Sequence, residues 1–130
     1  MIDAFDFFDC EYIVELTEMF LKELNISPDE IELDVALVSE SNFLGYSSPH
    51  GIDGNYIILI DDDPSNDIIH TLAHECVHIH QFYSGDLKES GGEVFWNGTL
   101  WDIEDADDED LPWEKAARET AAKLIEAVYN

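Results

Sequence analysis

Positive charge is what this sequence has least of: five lysines and arginines stand against 31 acidic residues, a formal net charge of −26 over 130 residues. A surface of that sign repels phosphate backbones and anionic bilayers, which argues against nucleic acid and membranes as partners. Cysteine is scarce too. Cys10 and Cys76 are too few for a disulfide framework, and Cys76 falls inside a helical pattern where a buried free thiol is expected, which suits a reducing compartment. No apolar run is long enough to span a bilayer, and the opening Met1-Ile2-Asp3-Ala4-Phe5-Asp6 carries acids where an export signal carries bases. The expectation is a soluble protein of the cytoplasm, a host cell's cytoplasm if the source is viral.

The excess of acid has two readings, a salt-adapted surface or a surface that imitates nucleic acid towards a basic partner. Acids are spread along the whole chain and not gathered in one tract, which favours the first. With 45% hydrophobic residues at this length, one compact domain over residues 1–130 is expected.

Periodicity supplies the elements. From Asp9 to Leu24, Ile13, Leu16, Phe20 and Leu24 recur at helical spacing. Ser27 to Glu30 reads as a turn or short helical start, and Ile31 to Val38 alternates as a half-buried strand. A further strand is expected near Asn42 to Tyr46, ahead of a turn-rich stretch from Ser47 to Gly54. Tyr56 to Ile60 is the strongest strand signal, β-branched and aromatic between Gly54 and Asp61. Asp67 to Tyr83 then reads as one helix, with capping side chains before it and Ser84-Gly85 as its stop. Glu93 to Ile103 reads as a hairpin about Asn97-Gly98, and Asp102 to Asp110 as an acidic loop. Pro112 suits a first helical turn, and Trp113 to Tyr129 carries the stripe Ala117, Ala121, Leu124 and Val128.

The chemistry lies in His74-Glu75-Cys76-Val77-His78. Two imidazoles one turn apart share a helix face and can reach one tetrahedral zinc, while Glu75 projects beside the open position, where it can activate a water. Histidine is absent after His80, and the only methionines are Met1 and Met19. A third ligand of the metzincin or SprT-like kind is thereby excluded or disfavoured, and a carboxylate is left. Glu114 is the expected ligand, because it opens a helix on the stripe that faces the core, and an inward carboxylate needs a partner. Glu89, Glu93 and Glu104 are weaker candidates. The competing reading of Glu114 is an acid complementing a helix dipole.

Arg118, the single arginine, lies one turn beyond Glu114 and is read as orienting a carboxylate or stabilising an oxyanion, with a structural ion pair as the alternative. His70 is read as a rim residue. Tyr46, His50, His80 and Tyr83 are unranked candidates to donate to an oxyanion. Trp96, Trp101 and Trp113 are expected to pack the core.

The motif followed by Pro112-Trp113-Glu114, Ala117 and Glu119 resembles the small gluzincin-type metallopeptidase-like proteins of phages and bacteria, and its Glu-x-x-Ala element resembles the ImmA/IrrE metallopeptidases. The resemblance covers about a fifth of the chain, the two motif helices. It implies a zincin-like α+β domain with an N-terminal helix, a short mixed or antiparallel sheet, the motif helix, a hairpin and a ligand-bearing C-terminal helix. It also implies peptide hydrolysis with zinc on His74, His78 and Glu114, and Glu75 as base. The strand Tyr56 to Ile60 is expected to form the rim on which a peptide or protein substrate adds as a further strand. The alternative function is a non-catalytic zincin-fold module whose acidic surface engages a basic partner.

Overall fold

The computed structural model describes residues 1–52, 54–102 and 111–129. Among them are three α-helices and two sheets, an α+β arrangement. Strand β1 (Ile2–Phe5) leads into helix α1 (Cys10–Glu23), and a 3₁₀ turn at Pro28–Glu30 precedes strand β2 (Glu32–Val38). Strands β3 (Gly45–Pro49) and β4 (Asn55–Asp61) follow, then helix α2 (Ile68–Ser84). Strands β5 (Leu87–Ser90), β6 (Glu93–Trp96) and β7 (Thr99–Trp101) make a small antiparallel sheet, and helix α3 (Pro112–Tyr129) closes the order.

The larger sheet runs β1-β2-β4-β3, parallel except for the antiparallel β3. Its alternation decides which face is covered. Ile2, Leu33, Val35, Ile58 and Ile60 are buried on one face with Ile13, Leu16, Phe20 and Leu21 of α1 and Leu72, Ala73, Cys76 and Ile79 of α2. Helix α3 packs on α1 and α2 through Ala117, Ala121 and Leu124. Ala117 and Ala121 are small enough to let the helices approach closely, which brings the start of α3 beside the middle of α2. Leu87, Val94, Leu111 and Trp113 form a second, smaller cluster under the hairpin sheet.

Helix α2 starts where the Asp67 carboxylate accepts the His70 backbone N–H at 3.1 Å, and stops at Gly85, whose φ of 84° is the left-handed conformation that glycine adopts without strain. The Asn97-Gly98 turn has φ of 51° and 82°, the two positive values a type I′ hairpin turn requires.

Several expectations need correction. The strand placed near Asn42 to Tyr46 runs instead from Gly45 to Pro49, through residues read as a turn. An edge strand needs pairing on one side alone, so Ser47, Ser48 and Pro49 are tolerated there. Strand β4 is no rim: it lies between β2 and β3, and β3 takes the edge. Strand β1 alternates over only four residues, with Ile2 buried and Ala4 half-buried, and β5 buries Leu87 alone, so neither offers an apolar pattern long enough to read. Most of the acidic loop from Asp102 to Asp110, with Glu104 and the hairpin's Ile103, lies outside the described residues. No helix among the described residues is long and apolar enough to cross a membrane.

Candidate metal centre

His74 and His78 stand one turn apart on α2, their rings edge to face with centroids 4.8 Å apart. Glu114, in the first turn of α3, reaches both. Its Oε2 lies 3.1 Å from His74 Nε2 and its Oε1 lies 2.9 Å from His78 Nε2. The ligand-capable atoms of the three residues all lie within 4.8 Å of one another, and two imidazole nitrogens with a carboxylate form a donor set that suits a divalent cation such as zinc. Both helices contribute from their packed faces, so core packing sets the spacing.

These residues wall an open cavity of about 620 Å³ between α2, β3 and the start of α3. Glu75 lines it and is buried, with Ser47 Oγ donating to its Oε1 at 2.7 Å. Burial raises the Glu75 pKa, against the charge of His78, the Ser47 hydrogen bond and the charge of His74, and the net shift is upward. A carboxylate so placed binds a proton more readily than one in water, which suits a base. At Glu114 burial also works upward, but hydrogen bonds from His74 and His78 and their charge outweigh it and take the carboxyl down to about 2. Burial opposes charging His78, and it is outweighed by Glu114, Glu75 and Gln81, so the imidazole pKa is raised.

Glu114 and a protonated His78 therefore stabilise each other in the metal-free protein. The carboxylate's share is complete above its unfolded value of 4.5 and is lost as pH falls through about 2. The imidazole's share is complete below its unfolded value of 6.5 and is lost as pH rises through the raised folded value. With chelator present, the Tm difference between the parent and Glu114→Gln should peak between pH 4.5 and 6.5 and shrink on either side. A difference that keeps growing above that window would contradict the pairing.

Other expected residues divide. Arg118 lines the same cavity, as do His70, Tyr46 and Glu89. Glu93 is exposed on β6. Tyr83 donates its hydroxyl to Glu30, and His50 lies exposed just beyond β3, so neither joins Tyr46 at the cavity wall. His80 also lies apart from the cavity lining. Trp113 is buried and also walls the cavity, with Trp96 and Trp101 against it at ring separations of 6.2 and 6.0 Å. The tryptophans thus build the second cluster and not the main core, and Trp101 remains 37% exposed, too open for a core residue.

Three contributors lack any signal in the motif. Ser47 holds the base. Gln81, buried on α2, is hydrogen-bonded to His78 Nδ1 at 2.7 Å and donates to the Trp113 carbonyl at 3.0 Å. Gly45 lets β3 approach α2: a Cβ there would lie 2.6 Å from Thr71 Cγ2 and 2.8 Å from Glu75 Oε2. The Thr71 methyl is on a stiff β-branched side chain and Glu75 is buried, so neither can yield freely. Gly45→Ala should cost about 1 to 3 kcal/mol in denaturant unfolding. An unchanged midpoint would show that the strand shifts without penalty.

Among the described residues β3 is paired on one side only, and its register is definite. Asp61 N–H donates to Leu44 O at 2.9 Å and His50 N–H donates to Asn55 O at 2.8 Å, so even-numbered residues face β4. Gly45 and Ser47 turn their main-chain groups the other way, and Pro49 offers a carbonyl without an N–H. Comparison of the chain with protein-family models, with curated proteins and with solved structures gave no match.

Proposed function

We propose that this protein is a small zincin-type zinc metallopeptidase that cleaves extended segments of basic polypeptides. The observation that carries the reading is the convergence of His74, His78 and Glu114 from two helices, beside a buried Glu75 on the wall of an open cavity. His74 Nε2, His78 Nε2 and the Glu114 carboxylate would hold the zinc. When bound, zinc supplies Lewis-acid polarisation of a carbonyl and acidifies water at the site.

The chain's own residues do the rest. Gly45 and Ser47 pair with an extended substrate through the outward main-chain groups of β3, which lies along the cavity. Glu75, held at Oε1 by Ser47, takes the proton of the attacking water and delivers it to the leaving amine. Arg118 adds positive charge to the same wall, one turn beyond Glu114, where carbonyl oxygen becomes negative. A net charge of −26 draws cationic chains towards the site and turns away acidic ones.

The test is the zinc content of protein purified without chelator, together with its action on an unstructured lysine- and arginine-rich peptide. About one zinc per chain and cleavage that stops on chelation are expected. Protein that binds no zinc overturns the reading, and zinc without cleavage leaves a binding module with an acidic surface.

A further inference from the structure

Gln81 occupies a position that the proposed chemistry leaves unexplained. It lies on α2, three residues beyond His78, and is only 4% exposed. A buried amide must place both its ends, and here both ends have partners. One end meets His78 Nδ1 at 2.7 Å, and the other meets the backbone oxygen of Trp113 at 3.0 Å.

The second contact removes the usual ambiguity of an amide. A backbone carbonyl only accepts, so the end facing Trp113 is the Nε2 donor, and the end facing His78 is Oε1, which also only accepts. His78 Nδ1 must then carry a hydrogen. With Nδ1–H held by Gln81, Nε2 is the nitrogen that gives up its hydrogen to a cation; without one it donates to the Glu114 carboxylate 2.9 Å away. Trp113 directly precedes Glu114 in the chain. One side chain therefore sets which nitrogen of His78 is available and ties that ring to the backbone beside the third ligand.

The geometry points to Gln81 as the positioning residue of the metal centre, fixing the His78 tautomer while clamping α2 to the start of α3. The inference rests on the metal reading above in so far as the ligands are His78 and Glu114, but the hydrogen on Nδ1 follows from the two contacts of Gln81 alone. Residues that orient a ligating histidine through its second nitrogen are typically worth about 10- to 100-fold in metal affinity.

The experiment compares the parent with Gln81→Met, which keeps the length but offers neither hydrogen bond, and with Gln81→Glu, which keeps an acceptor for Nδ1–H. Nitrogen-15 NMR at alkaline pH, with Glu114→Ala added to each metal-free protein so that no carboxylate competes for Nε2–H, reads the tautomer of His78, and chelator competition without that change reads zinc affinity. In that background, Gln81 and Gln81→Glu should show hydrogen on Nδ1, and Gln81→Met should lose that preference. Zinc affinity should fall about 10- to 100-fold in Gln81→Met, with part of the loss recovered in Gln81→Glu. A lowered Tm with unchanged zinc affinity and tautomer in Gln81→Met would reduce Gln81 to a packing residue and overturn the inference. So would hydrogen on Nε2 in the Glu114→Ala protein with Gln81 intact. Should the parent bind no zinc at all, the metallopeptidase reading fails while the tautomer result still stands or falls by itself.

Discussion

Glu114→Ala should abolish zinc retention at ordinary protein concentrations while leaving the chain folded. Apparent zinc affinities of about 10 to 16 kcal/mol, shared over three or four ligands, make one ligand worth about 3 to 4 kcal/mol, or two to three orders of magnitude in Kd. Alanine also withdraws the acceptor that His74 and His78 share. His78 then loses the largest of the contacts that hold its pKa up, with Glu75 and Gln81 left beside it. Ala117, Ala121 and Leu124 hold α3 in place independently of the first turn. Far-ultraviolet circular dichroism should therefore match the parent, and chelator competition should show the loss. Parent-like zinc affinity in this variant would mean that another acid is the ligand.

Glu75→Gln separates chemistry from binding. Glutamine keeps the shape and can still meet Ser47, but it cannot take a proton from water, and a positioned general base contributes about 100- to 10,000-fold. The fall should appear in kcat, with zinc affinity and peptide binding near parental values, because Glu75 is outside the His74, His78 and Glu114 donor set. Burial at this position also gives the variant a secondary signature. The parent carboxyl resists ionisation, whereas a neutral amide has no charge to desolvate, so Glu75→Gln should be no less stable than the parent. A variant that cleaves as fast as the parent would remove Glu75 from the chemistry.

The sequence made the helices legible because their apolar residues keep a 3.6-residue period and their ends carry strong signals. Asp9, Asp67 and Gly85 cap where such residues are expected to cap. Strands β2 and β4 were legible for the same kind of reason, since one face of each is buried and alternation survives. Strand β3 was misplaced because its inward positions hold Gly45 and Ser47, chosen by the needs of Glu75 and not by packing, and nothing apolar marks them. The motif announced His74 and His78, and the stripe on α3 pointed to Glu114. Ser47 and Gln81 were silent because a single polar residue shows its role only when a distant element supplies its partner, across 28 residues for one and 32 for the other.

Strand β3 also bears on how copies of this protein behave towards each other. Among the described residues it is paired on one side only, and such borders ordinarily invite neighbouring molecules to zip together into aggregates. Here each molecule approaches the next with the same heavy negative charge, so mutual stacking is opposed before main chains can meet. Self-avoidance of this kind sets like charge, and not a covering element, as the barrier between one copy's border and the next.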